Sequence, residues 1–140
     1  MSKAARIFLI AANLANGIAG IVCGLLFVAA PDGALMGAAD GGLLEIVQAF
    51  PLSEVFFRDF RWIGFAMLLA IGLPGMVAAV ALLRREHNRY RWSLLAGVFL
   101  FAWCTIEMLF MPNWLCVLYA IVAALTIVLS DRMASGQIAR

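Results

Sequence analysis

Four long apolar stretches dominate this sequence, at residues 7–30, 60–83, 92–111 and 114–130. A helix needs about 20 apolar residues to cross about 30 Å of lipid hydrocarbon, and each stretch reaches or approaches that length. Of the 140 residues, 66% are hydrophobic and 13% are charged, whereas soluble domains are about half apolar and a quarter charged. The sequence therefore predicts an all-α bundle of four transmembrane helices, forming one membrane domain over residues 1–140.

The basic residues predict the orientation of the chain. Lys3 and Arg6 precede the first stretch, residues 84–91 carry four arginines between the second and third, and residues 131–140 carry two more. The other side holds Arg58 and Arg61 together with five carboxylates. Because basic loops stay in the cytoplasm, we expect both termini, the 84–91 loop and the 131–140 tail to be cytoplasmic.

The length of the first stretch and the net charge exclude two further possibilities, a cleaved signal peptide and a nucleic-acid-binding protein. An apolar stretch of this length exceeds the 7–15 residues of a signal peptide, so we expect it to be retained as a membrane span. The net charge is +2 and no basic stripe follows one face, which argues against nucleic acid as a partner. The expected partners are membrane lipid and either a second copy of the chain or another membrane protein.

Residues 31–59 form the one long connection between predicted spans, on the outer face. Leu43, Ile46, Val47 and Phe50 recur at helical spacing, while Glu45 takes the other face. This pattern is typical of a short amphipathic helix lying in the membrane interface. The sequence predicts such an interfacial helix between the first and second spans.

Glu107 is the first candidate for a functional residue, because a carboxylate within an apolar helix is costly and usually faces a partner, a cavity or a proton path. Arg61 and Arg58 lie at the same predicted level, so one interpretation is a structural ion pair that joins the second and third spans. The alternatives are a ligand or ion site, and a protonated Glu107 that hydrogen-bonds to a neighbouring helix.

The first span carries a second set of candidates. Asn13 and Asn16 lie in its cytoplasmic half, and Gly17, Gly20 and Gly24 share a face with Asn13. Small residues let helix backbones approach closely and an amide can hydrogen-bond across the contact, which favours helix packing, within the bundle or between subunits. A polar lining for a solute is the alternative.

Pro74 and the three cysteines are the remaining features inside the spans. Pro74 follows Gly72 near the middle of the second span and predicts a kink in the residues before it. The cysteines show no CxxC spacing, and we interpret them as small apolar residues. A disulfide between Cys23 and Cys104, which lie at similar predicted depths, is the alternative.

No nucleotide-binding, hydrolase or metalloprotease motif occurs, and the single histidine, His87, lies in the basic loop. We therefore expect no catalytic set, no metal site and no cofactor. The layout of residues 31–33, 57–60, Gly64, the glycine-rich end of the second span and residues 103–107 resembles that of a widespread group of small, uncharacterised bacterial four-helix membrane proteins. Arg61 and Trp62 stand where that group is more apolar. The resemblance implies architecture without an activity, and we expect the chain to lie in a bacterial inner membrane.

Three classes of function remain open at this point. The leading hypothesis is a non-enzymatic membrane protein that binds a partner, a lipid or a small apolar ligand beneath its outer segment. The second is a small transport or channel subunit with a polar path through Glu107 and Asn13. The third is a membrane enzyme that acts on lipid or quinone, for which the sequence offers Glu107 and isolated cysteines.

Overall fold

The computed structural model describes residues 3–37, 45, 48, 58–110 and 112–138, and the regular structure of these residues is entirely helical. The elements in chain order are α1 (Lys3–Ala29), a short 3-10 helix (Ala34–Met36), α2 (Arg61–Met67), a π-helical turn (Leu68–Gly72), α3 (Leu73–Arg84), α4 (Arg89–Phe110) and α5 (Trp114–Ile138). The elements α2, the π-helical turn and α3 follow one another without a break and together form the second span.

Among the described residues, four helices are long and apolar enough to cross a membrane, which confirms the predicted all-α architecture with four candidate spans. They cover Lys3–Ala29, Arg61–Arg84, Arg89–Leu109 and Trp114–Gly136. The main difference from the predicted boundaries is at the end of α5, which continues as a helix through most of the predicted tail. Met133 in that extension is buried against the other helices, so packing prolongs the helix past the apolar stretch.

Each span packs against the next one in sequence, since α1 contacts the second span, α3 contacts α4, and α4 contacts α5. At one end of the bundle, α1 begins, α3 ends, α4 begins and α5 ends; we call this the basic end because it carries the arginines of the 84–91 turn. Leu9, Leu82, Tyr90 and Met133 form a buried cluster there that joins four helices. The opposite end holds the α4–α5 turn.

Glycines bring α1 and the second span into backbone contact. A Cβ on Gly17, Gly20 or Gly24 would stand within 2.6–2.7 Å of atoms of the second span, and for Gly20 the nearest is the backbone nitrogen of Gly72. Hydrocarbon is as apolar as the side chains, so close van der Waals contact holds membrane helices together. The glycine face predicted for packing thus lies inside the bundle, against the second span.

The irregularity expected before Pro74 takes the form of the π-helical turn at Leu68–Gly72. The Leu73 N–H donates to the Leu68 carbonyl, five residues back, instead of to the carbonyl four residues back. Proline has no N–H and its ring crowds the preceding turn. A wider turn just before proline relieves this conflict, and such π turns are a recognised cause of helix bending.

The turn at the basic end is held by Arg89. Its guanidinium donates to the carbonyl oxygens of Arg85, at 3.0 Å, and Glu86, at 2.9 Å. Arg85 is the residue directly after α3, and its backbone lies in the left-handed region, at φ 57°. A cation that bonds the last carbonyls of a helix also interacts favourably with the negative end of the helix dipole. Arg89 therefore joins the end of α3 to the start of α4.

The connection between the first two spans is pinned where it leaves and enters the bundle. The Phe60 N–H donates to the Pro31 carbonyl at 2.8 Å, and the Phe27 and Phe60 rings lie 5.2 Å apart. Glu45 and Gln48 are helical and exposed. The apolar residues of the predicted interfacial helix lie outside the described residues, so that helix stays a prediction.

Candidate functional site

The polar residues inside the bundle form two groups at different levels. Glu107 lies on α4 near the opposite end, whereas Asn13 and Asn16 lie on α1 toward the basic end. Ser93, the interhelical partner of Asn13, is separated from Glu107 by about 20 Å along α4 at the rise of an α-helix. The predicted polar path through both groups would have to cross the apolar middle of α4.

The first group, the Glu107 cluster, consists of Cys104, Glu107, Asn113 and Cys116. Cys104 precedes Glu107 by one helical turn and therefore shares its face of α4. It is 2% exposed and packs against Ile71 of the second span and Ala123 of α5. This packing anchors the half of α4 that lies away from the basic end, while Glu107 itself is half-buried.

Asn113 sets the start of α5 and so completes the cluster. Its side-chain oxygen accepts a hydrogen bond from the Cys116 N–H at 3.0 Å, the geometry of a helix N-cap that bonds the third helical residue. The cap orients the first turn of α5, and Cys116 is buried there close to the Glu107 carboxylate. The spacing from Asn113 to Cys116 is a sequence signal for the N-cap itself, but it does not indicate that Cys116 lies close to Glu107.

The predicted ion pair between Glu107 and an arginine of the second span does not form. Arg61 and Arg58 are exposed, and neither lies within 4.0 Å of a Glu107 oxygen in the described part of the chain. The reason is lateral position, because α2 packs mainly against α1, while the π-helical turn and α3 supply the main contacts of the second span with α4. The two residues share a membrane level but lie on different sides of the bundle.

The chemistry available at the cluster is that of one carboxylate beside two cysteine side chains. Within the described ranges, no group of three or more His, Cys, Asp or Glu side chains is placed to hold a metal ion. Cys23 and Cys104, weighed above as a disulfide pair, are both reduced thiols. Cys104 instead lies near Cys116 and Glu107. The cluster can accept hydrogen bonds and present negative charge.

The second group, the Asn13 network, joins α1, α4 and α5 through hydrogen bonds. The Asn13 amide donates to the Leu9 carbonyl and to the Ser93 hydroxyl oxygen, both at 2.8 Å. The Ser130 hydroxyl donates to the same Ser93 oxygen at 2.8 Å. All three side chains are at most 3% exposed. Interhelical hydrogen bonds of this kind stabilise membrane bundles by about 0.6 kcal/mol on average, up to about 2 kcal/mol.

A small cavity lies beside this network, with a volume of about 10 Å³. Its lining includes Asn13, Asn16, Gly75, Gly97 and Thr126. A water molecule needs about 10–15 Å³ measured in this way, so the cavity is at the limit for one water and excludes an organic ligand. Thr126 bonds back to the Val122 carbonyl at 2.8 Å. The geometry favours a packing role for Asn13.

Sequence reasoning missed Ser93 and Ser130 as members of this network. Hydroxyls inside apolar helices are common glue between membrane helices, so each was a candidate by residue type. Their mutual contact spans 37 positions, and the bond from Asn13 to Ser93 spans 80. No pattern along one chain indicates which hydroxyl meets which amide over such separations.

Neither the protein-family models, nor the curated proteins, nor the solved structures include a match to the chain.

Proposed function

We propose that this chain is a non-enzymatic, multi-pass protein of a bacterial cytoplasmic membrane that binds another membrane-embedded protein at its outer end through Glu107. In this arrangement both termini and the 84–91 turn are cytoplasmic, and the α4–α5 turn faces outward. The orientation rests on the arginines gathered at the basic end, since positively charged loops remain on the cytoplasmic side.

The observation that carries the proposal is the environment of the Glu107 carboxylate. It is half-buried, it lies close to the Cys116 thiol, and it lies beyond salt-bridge distance of every basic side chain in the described ranges. A carboxylate at membrane depth is costly, and such groups usually pair with another polar group or mark a functional site. Glu107 is therefore suited to a cation or hydrogen-bond donor supplied from outside the chain.

The apolar surface around Glu107 fits a membrane helix as the source of that donor. Ile106, Leu109 and Trp114 are 54%, 79% and 72% exposed. They would contact lipid or the apolar side chains of a partner. A transmembrane helix with one Lys or Arg at this depth would satisfy the carboxylate and cover these side chains together. Ligand binding in a closed pocket has less support, because the cavity beside Asn13 holds one water at most.

Site-specific photocross-linking in intact membranes tests the proposal. A photoreactive residue at Leu109 is expected to give one discrete protein adduct, and Glu107→Gln should abolish that adduct while the protein level is unchanged. The control for the labelling position is a photoreactive residue at Leu69, which is 65% exposed on the second span. The control for the substitution is Glu86→Gln at the basic end. An adduct at Leu109 that persists in Glu107→Gln would contradict the proposal.

A small transport subunit is the second candidate, and the one-water cavity beside Asn13 and Thr126 is the observation that favours it. The path would need a second copy of the chain to link the Asn13 network with Glu107 across about 20 Å. Flux of ions or small solutes in liposomes that contain purified protein distinguishes the two functions. Transport requires flux that Asn13→Ala abolishes, whereas partner binding requires none.

A further inference from the structure

Two buried hydrogen-bond donors at the basic end have no acceptor. Tyr90 is 1% exposed, and its hydroxyl makes no hydrogen bond; the Nε of Arg6 is also buried without one. Buried polar groups in proteins are nearly always satisfied, so an unsatisfied pair marks a place where a partner group is expected. Arg6 as a whole is half-buried, so part of the residue remains accessible.

The two donors lie near the same buried cluster, because Tyr90 belongs to it and Arg6 lies one helical turn from its member Leu9. Asn13, Leu9 and Arg6 follow one face of α1, and Asn13 bonds Ser93 while Leu9 packs in the cluster that contains Tyr90. By helical rise, the Arg6 Cα lies about 10 Å and the Tyr90 Cα about 5 Å toward the basic end from that hydrogen bond. Side chains tilt toward the start of their helix, and α1 and α4 both begin at the basic end, so the Arg6 and Tyr90 side chains extend toward the same end of the bundle.

The charge around these donors is strongly positive. Two acidic residues, Glu86 and Asp131, are exposed at this end. Five other basic side chains are exposed there as well: Lys3, Arg84, Arg85, Arg91 and Arg132. Arg89 is already engaged, because it bonds two carbonyls of the turn and lies 4.8 Å above the Tyr90 ring. Basic pockets between membrane helices on the cytoplasmic side attract anionic headgroups. The missing acceptor is thus expected to be an anion.

We propose that Arg6 and Tyr90 form a binding site for a phosphate group. In the membrane, this group would be the phosphate of an anionic phospholipid whose headgroup enters between α1 and α4. The guanidinium and the phenol would both donate to phosphate oxygens, and charge-assisted bonds of this type are the strong ones. Rotation of the long Arg6 side chain gives the phosphate access to the deeper hydroxyl. This site is independent of the function proposed for Glu107, which lies at the other end.

Thermal unfolding of the purified full-length protein in non-ionic detergent tests the site. We expect phosphatidylglycerol to raise the melting temperature of the wild type by several degrees, and phosphatidylcholine to raise it much less. Tyr90→Phe removes only a hydroxyl that has no partner in the protein, so this variant should melt at or above the wild-type temperature without lipid. It should lose most of the shift caused by phosphatidylglycerol, and Arg6→Gln should lose it as well.

The control variant is Tyr119→Phe, which removes a phenol from the exposed surface of α5 and should keep the full shift. Inorganic phosphate at millimolar concentration distinguishes the sources of the anion: an equal shift would assign the site to free phosphate, and no shift would assign it to the lipid headgroup. The proposal is overturned if Tyr90→Phe keeps the wild-type shift with phosphatidylglycerol, or if neither probe shifts the wild type.

Discussion

A Cβ built on Gly20 would stand 2.6 Å from the backbone nitrogen of Gly72, so α1 and the second span touch backbone to backbone. Gly20→Ala should destabilise the protein by about 1–3 kcal/mol, because neither backbone can move aside without disturbing the neighbouring contacts. Unfolding in detergent measures the loss. Gly136→Ala is the control, since a Cβ there meets nothing within 4 Å, and it should be neutral or slightly stabilising. Equal stability of the two variants would contradict the close contact.

Ser93 accepts hydrogen bonds from two other helices, so its removal should be felt by both. Ser93→Ala is expected to cost about 1–2 kcal/mol, because it leaves the buried Ser130 hydroxyl without its partner. The Asn13 amide keeps its bond to the Leu9 carbonyl. A double-mutant cycle with Asn13→Ala should give a coupling of about 0.6 kcal/mol or more, and Ser135→Ala, on the exposed side of α5, should be neutral. Strictly additive effects would argue against the bond.

Arg61 and Glu107 should behave as independent residues. Arg61→Gln is expected to change stability by less than about 0.5 kcal/mol, since the side chain is exposed and makes no ion pair with Glu107. The double variant with Glu107→Gln should show additive effects in detergent unfolding. A coupling as large as the effect of Glu107→Gln alone would restore the ion pair that the sequence predicted.

The proposed orientation predicts opposite accessibility for the two tight turns. A cysteine at His87 should react with a membrane-impermeant maleimide only after the cells are opened, whereas a cysteine at Pro112 should react in intact cells. Both positions are exposed, and the buried Cys104 and Cys116 give a low background. Wild-type protein treated in parallel measures that background. Labelling of His87→Cys in intact cells would reverse the topology.

The four spans could be predicted because membrane thickness imposes a length and a composition that any single stretch of sequence displays. The end of α5 could not, because hydropathy reports where the chain leaves the lipid, while Met133 is held in the helix by contacts with Leu9 and Tyr90. The glycine face of α1 was visible from spacing alone. Its partner on the second span could not be predicted, since the spacing of glycines along one helix does not show which other helix that face contacts.

Partners within the bundle are the part that a single sequence conceals. Arg61 and Glu107 share a level, and depth is the one coordinate that the sequence supplies directly. Their separation follows from the way α2 packs on α1. The same limit applies to Cys116 and Glu107. Their proximity depends on how the Asn113 cap orients the start of α5, and the sequence does not show that orientation.

The π-helical turn has a consequence for the length of the second span. Gly64 and Gly72 both face α1, although residues this far apart in an unbroken α-helix are rotated by about 80° from one another. The wider turn contains one surplus residue, which absorbs that rotation. Loss of a single residue from Leu68–Gly72 would leave both flanks facing α1, whereas the same loss inside α3 would rotate one flank by about 100°. Evolution or an engineer can therefore shorten the span here without changing its partner.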